Sequence, residues 1–228
     1  MGGLALAVLG TLAIYVYALE FQGPPPQLKI WDIEPTMNWG VARFQGVVTG
    51  ARYETDTGWL SIFLDDNTGS IFIRAYDSKT QALIERNNVP GVGQHISVVG
   101  KIRTRPGFNM LILSVAGGLD ILPEDVPREN ISTITSNPEN YVYERVQIEG
   151  KVIKKTKDDP FKGNASIEIQ DPQTGDSLET FITYTVPWFK DWFEDYWSQI
   201  SVGDTLRVTG GMGWIMSVIF MPTERWEF

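Results

Sequence analysis

The chain of 228 residues contains no cysteine and a single histidine, His95. The first absence removes disulfides, thiolate zinc sites, iron–sulfur clusters and cysteine nucleophiles. The second removes any site built on a cluster of histidines. Positive charge is also in short supply. With 19 Lys and Arg against 28 Asp and Glu, the formal charge is −9, which argues against coating nucleic acid by bulk electrostatics. There is no G-x-S-x-G, no Walker loop and no H-E-x-x-H, so no catalytic constellation is visible, the chain reads as a non-enzyme, and no cofactor or metal site is implied. Hydrophobic residues, at 43%, are plentiful enough to build one large core or two small ones.

One apolar run stands apart. Gly2 to Leu19 carries no ionisable side chain, Glu20 is the first, and Gly23-Pro24-Pro25-Pro26 ends any helix soon after. A bilayer span takes about 20 apolar residues, and Tyr15, Tyr17 and Phe21 suit the headgroup region at its end. The run predicts a single-pass anchor over residues 1–22, with 2–21 in the lipid. A signal peptide or a buried helix are the alternatives, and the former lacks its basic opening, since nothing basic precedes Lys29. Without flanking Lys or Arg, the side of the membrane stays open. Residues 23–38 read as a Pro-rich stalk.

Beyond the stalk, alternation of period two dominates. Trp59–Asp65 followed by Thr68-Gly69 and Ser70–Tyr76 reads as strand, turn and strand. Ala165–Asp171 followed by Thr174-Gly175 and Ser177–Tyr184 repeats it. Asp is expected to cap its own turn and Gly to supply the positive φ. Phe44-Gln-Gly46-Val-Val answers Ile148-Glu-Gly150-Lys-Val, and Val92–Gly100 answers Val202–Gly210 in the pattern V-G-x-x-[IL]-x-V-x-G. Four correspondences in one order make an internal repeat.

Each copy thus runs glycine-bent strand, hairpin, short helix, strand, strand, and on these motifs the chain resembles tandem OB-fold proteins of the nucleic-acid-binding type. The resemblance implies a mainly β architecture: two five-stranded Greek-key barrels in tandem after a transmembrane helix. The expected boundaries are 39–123 for the first barrel, 124–140 for a linker and 141–228 for the second. It also implies a ligand face on strands 2 and 3 of a barrel.

In the first copy, Leu60, Ile62, Leu64, Ile71, Ile73 and Ala75 take the inner side. That leaves Trp59, Phe63, Phe72 and Tyr76 outside around Arg74, with Lys101, Arg103, Arg105 and Phe108 beside them on the next hairpin. Rings on an open sheet stack bases, and Arg and Lys hold phosphates. The same aromatics also fit packing against a neighbouring domain or the stalk, or, with a one-residue register slip, the core. In the second copy the outer positions are Ser166, Glu168, Gln170, Glu179, Phe181 and Thr183, a poor nucleic-acid surface. Its lysines (Lys151, Lys154, Lys155, Lys157, Lys162) fit a solvated hairpin tip or a phosphate-contacting loop. Pro187–Trp197 predicts a helix with a broad aromatic face that plugs its barrel, with a second contact to the first barrel or the bilayer. His95 fits an exposed strand position rather than a ligand.

The expected function is therefore binding of single-stranded DNA or RNA by the first barrel of a membrane-anchored protein, on the cytoplasmic side if nucleic acid is the ligand. The alternative is a non-catalytic envelope module that holds a protein or glycan partner.

Overall fold

The computed structural model describes residues 10–11, 23–157, 164–183, 187–212 and 217–220, with 164, 183, 187–192 and 217–220 described by backbone alone. Strand β1 (Val41–Glu54) is long enough to serve two partners. Val41–Val47 pairs with β4 (His95–Arg105), and Val47–Glu54 with β2 (Trp59–Asp65), across a bulge between Val48 and Gly50. Gly46 sits where β1 bends, and a Cβ there would lie 2.1 Å from the Asp65 carbonyl oxygen. No other residue allows so close a crossing. β2 pairs antiparallel with β3 (Ser70–Ala75), β3 pairs in parallel with β5 (Phe108–Leu113), and β5 pairs antiparallel with β4. The β4–β1 pairing closes the ring in the order β1-β2-β3-β5-β4. Helix α1 (Asp77–Glu85) joins β3 to β4, and a sixth strand that the sequence pattern missed, β6 (Leu119–Ile121), adds to the start of β4.

Helix α2 (Ile131–Ser136) leads into the second unit. There β7 (Arg145–Lys157), β8 (Asn164–Gln170), β9 (Ser177–Thr183), helix α3 (Pro187–Gln199), β10 (Thr205–Met212) and β11 (Ser217–Phe220) follow in order. The barrel is closed as β7-β8-β9-β11-β10, again with strands three and five parallel and a bulge, at Val152/Lys154, in strand one. Both units have the strand order, parallel pair and helix position of the OB-fold. The hydrophobic alternation explains the cores: Leu60, Ile62, Leu64, Ile71, Ile73 and Ala75 are buried in the first, and Ile167, Ile169, Leu178 and Ile182 in the second.

The segment expected to be a stalk lies along the first barrel from Pro26 onward. Arg43 N–H donates to the Pro26 carbonyl and Leu28 N–H to the Arg43 carbonyl, and Ile30 joins the core. The segment before the second barrel does the same: Gln147 N–H donates to Pro127 and Glu129 N–H to Gln147, while Ile131 and Ile134 join that core. Each segment ends on an aromatic residue at positive φ, Trp39 (72°) or Tyr143 (64°). Their N–H groups donate to Ile102 and Met212. The repeated unit is therefore a docked leader plus a barrel.

The hairpin turns differ from expectation in one detail. Asp65 caps Asn67 N–H and Asp171 caps Gln173 N–H, as anticipated. Positive φ falls on Gly175 in the second copy but on Asn67, not Gly69, in the first. Asn tolerates the left-handed region, so the glycine is spared that role. Among the described residues no helix is long and apolar enough to cross a membrane. The span expected at 2–21 lies outside the described residues apart from Gly10 and Thr11.

The two barrels touch through a pair of glycines and through Tyr53 of β1, which packs against the second core. A Cβ on Gly211 would come 2.1 Å from the Val92 carbonyl oxygen, and one on Gly93 would meet Gly211 and Arg145. Arg145 also pairs with Glu124 of the linker at 2.8 Å.

Candidate nucleic-acid interface

The outer face of the first barrel follows from strand register. One row runs Gly50, Phe63, Phe72, Met110, Arg103, each opposite the next on the neighbouring strand. A second runs Arg52, Ser61, Arg74, Ile112, Lys101. Glu54 and Trp59 pair at one end, with Tyr76 against Trp59, while Arg105 and Phe108 pair at the other. The expected site residues on these strands point outward from the barrel, and ring and cation contacts join Trp59, Phe63, Phe72, Arg74, Tyr76 and Phe108 into one patch.

They do not play equal parts. Phe63 (46% exposed), Phe108 (47%) and Tyr76 (39%) present their rings to solvent. Phe72 is half-buried between them: its ring lies 5.3 Å from Phe63 and 6.1 Å from Phe108. Trp59 meets Tyr76 edge-on at 5.1 Å. Edge-to-face contacts of this kind hold the rings in place without hiding their faces.

Arg74 differs from its expected role. Its guanidinium sits 4.9 Å from the Trp59 ring centroid and 4.8 Å from that of Phe72, and it pairs with Glu54 at 2.9 Å with only 17% of its side chain exposed. Ser61, whose hydroxyl also donates to Glu54, is buried beneath this pair although it points outward. Arg74 therefore braces two rings, and its charge is already matched. Arg103 stacks on Trp39 at 3.8 Å, which adds a leader residue to the face that the strand pattern gave no reason to include. Met110 and Arg52 were also missed. The alternation Phe108, Met110, Ile112 was the available signal for the first, and the far half of β1 for the second. Among the described residues, Arg52, Lys101, Arg103 and Arg105 form no ion pair with a carboxylate. The strands of this face thus carry four unmatched cations despite the acidic whole.

At the lower end of the face, a groove of about 580 Å³ opens between the leader and the β4–β5 hairpin. Arg105 and Phe108 line both the groove and the face. The leader is fixed there by Asp66, which is buried and accepts from Ile30 N–H (2.9 Å), Thr68 N–H (2.9 Å) and the Thr68 hydroxyl (2.6 Å). Burial pushes its pKa up, but these hydrogen bonds and the charge of Lys29 outweigh it and hold the carboxyl below its ordinary value.

The second barrel offers a different surface. Glu168 and Glu179 face each other directly across β8 and β9, a repulsive pair, and Phe181 is its one described aromatic. Two of its lysines do not form a solvated tip. Lys155 donates to the carbonyls of Trp197 and Ile200 (2.8 Å to the latter) at the end of α3, and Lys157 pairs with Glu194 at 2.6 Å. Burial and the neighbouring Lys157 charge lower the pKa of Lys155, against the opposing pull of Asp204. The aromatic helix plugs its barrel through Phe193, buried and stacked on Trp197 at 5.1 Å, while the side chains of 187–192 lie outside the description. His95 is exposed at the start of β4.

No protein-family model and no curated protein matches the sequence. Solved structures do show likenesses. The chain is similar to a structure of the S. pombe Stn1–Ten1 complex, at 16% identity and TM-score 0.36, over 45% of this chain and 81% of that one. It is similar to asparaginyl-tRNA synthetase from Pyrococcus horikoshii at 14% identity and TM-score 0.37, over 43% of this chain but only 23% of the synthetase. A replication protein A heterotrimer bound to single-stranded DNA matches over 88% of this chain and 51% of that one, at 10% identity and TM-score 0.41.

Proposed function

We propose that the protein binds single-stranded nucleic acid, DNA or RNA, along the outer face of the first barrel and performs no chemistry on it. The observation that carries this reading is the row of exposed Phe63, Phe108 and Tyr76 beside the unmatched cations Arg52, Lys101, Arg103 and Arg105. Exposed rings accept the faces of unstacked bases for about 1–3 kcal/mol each, whatever the base. The cations follow the phosphates. A duplex hides its base faces and gains only the second term, so the preference is for single strands. The second barrel, with Glu168 opposite Glu179, contributes no platform in this reading. Membrane attachment through residues 2–21 belongs to the same proposal, and the nucleic-acid ligand, rather than the anchor, argues for the cytoplasmic side.

The test is fluorescence anisotropy of labelled single-stranded and duplex oligonucleotides titrated with the full chain at low and moderate salt. Micromolar or tighter binding that prefers single strands supports the reading, as does a fall of about tenfold on Phe63→Ala. Binding indifferent to Phe63→Ala and Phe108→Ala together, or no binding at low salt, refutes it.

A further inference from the structure

The groove beneath the hairpin does not resemble a simple continuation of the flat platform. One wall is leader (Ile30, Ile33, Pro35), the other the hairpin tip, and its polar groups are few and particular. At about 580 Å³ it falls inside the roughly 300–1,000 Å³ range of sites that enclose small molecules. Its apolar wall is held rigidly, because Ile30 belongs to the core and its N–H is tied to Asp66. Two groups lining it have no partner among the described residues: the Asn109 amide and the Arg105 guanidinium. Ser70, whose hydroxyl donates to Asp65 at 2.6 Å, keeps an oxygen able to accept.

We infer that this groove is a subsite for one nucleobase, a purine with adenine preferred, turned off the platform around Phe108 with its phosphate on Arg105. The inference extends the single-strand reading and rests on it for the strand that delivers the base. The apolar leader wall and the Phe108 ring supply the two faces a planar base needs. The Asn109 side chain presents a donor and an acceptor side by side, the pattern that matches adenine's N6 and N7 together. No carboxylate is among the groove's lining residues; the nearest ones, Asp65 and Asp66, are engaged by Ser70 and by the Ile30 N–H.

The experiment is a titration of the ¹⁵N-labelled full chain with adenosine monophosphate, uridine monophosphate and inorganic phosphate, read by amide chemical shifts. Adenosine monophosphate is expected to move Ser70, Gly107 and Asn109, uridine monophosphate to move them less, and phosphate to move only the surroundings of Arg105. Asn109→Ala is expected to weaken adenosine monophosphate by about tenfold and to erase its advantage over uridine monophosphate. Ser70→Ala, a second and gentler change, weakens it less. Shifts confined to Phe63, Phe72 and their neighbours overturn the groove and leave the single-strand reading intact. Equal effects of phosphate alone, or an advantage that survives Asn109→Ala, also overturn it. Groove shifts by the mononucleotide in a protein that fails to bind oligonucleotides support the groove and refute the platform instead.

Discussion

The division of labour among the arginines makes a quantitative prediction. Arg74 is matched by Glu54 at 2.9 Å and wedged between two rings, whereas Arg105 forms no ion pair among the described residues. If Arg52, Lys101, Arg103 and Arg105 each neutralise one phosphate, log K falls with log salt at a slope of about −0.7 × 4, or about −2.8, for a single strand. Between 50 and 200 mM salt that amounts to a loss of about fifty-fold. Arg105→Ala brings the slope to about −2.1 and the loss to about eighteen-fold. Removing the half-buried pair as a unit, by Arg74→Met with Glu54→Gln, leaves the slope at about −2.8. It still weakens binding, because Trp59 and Phe72 lose the guanidinium that holds them, a contact worth about 0.5–2 kcal/mol or about 2–30-fold. Anisotropy titrations at four salt concentrations measure all three slopes. A drop of about 0.7 in the double variant would show that Arg74 does reach a phosphate and would refute the assignment. An unchanged slope in Arg105→Ala would refute it equally.

Four further outcomes follow from the packing. Gly46→Ala places a methyl 2.1 Å from the Asp65 carbonyl oxygen and should cost at least about 1–3 kcal/mol, read as a lowered midpoint in urea. Asp66 has a folded-state pKa below its ordinary value, so its stabilisation is complete above about pH 4 and is lost as pH falls through the folded pKa. Urea midpoints at pH 7 and pH 3 should therefore differ less in Asp66→Asn than in the unaltered chain. Gly211→Ala should part the barrels at Val92 without unfolding either, seen as a larger radius of gyration in X-ray scattering with an unchanged circular dichroism spectrum. A chain anchored through residues 2–21 stays with membranes on alkaline carbonate extraction, and release into the supernatant would refute the anchor.

The parts of this architecture that were legible in sequence are those governed by short-range periodicity. Leu60, Ile62 and Leu64 alternate with outward residues, and burying them fixes the face of every neighbour, so Phe63 and Tyr76 could be placed outside from the pattern alone. Val92-Gly93 and Val202-Gly203 marked the entry to the fourth strand of each barrel because the turn there needs positive φ, 83° and 107° respectively. The leaders were not legible. Leu28, Ile30 and Ile33 are too few and too irregularly spaced to mark a strand or a helix, and the Asp66 carboxylate that fixes Ile30 grips a backbone N–H, which any residue but proline would offer. The pairing of Arg74 with Glu54 was hidden for another reason. It joins residues on β3 and β1 across β2, and the bulge at Val48/Gly50 decides which side of β1 faces outward beyond it. Lys155 and Lys157 look like a charged loop until α3, some forty residues on, supplies the carbonyls and the carboxylate they serve.

The two copies also show how a repeated fold divides its roles. Leader, bulge, turn cap and ring order are shared, since each is required to close a barrel of this kind. The outward positions are free of that requirement, and there the copies part. Phe63 opposite Phe72 in the first becomes Glu168 opposite Glu179 in the second, each the third pair from the turn and each just past the bulge of strand one. The glutamates of the second hairpin face each other where no closing constraint explains them, and such a pair repels a phosphate chain as surely as it repels itself. At the basic end of β7, Lys155 and Lys157 are occupied with the plug helix. Under the proposed function, a strand lying on the first barrel is therefore not drawn onto the outer hairpin face of the second. The contact at Gly93 and Gly211 holds the second barrel against the first, with Phe63, Phe108 and Tyr76 still exposed.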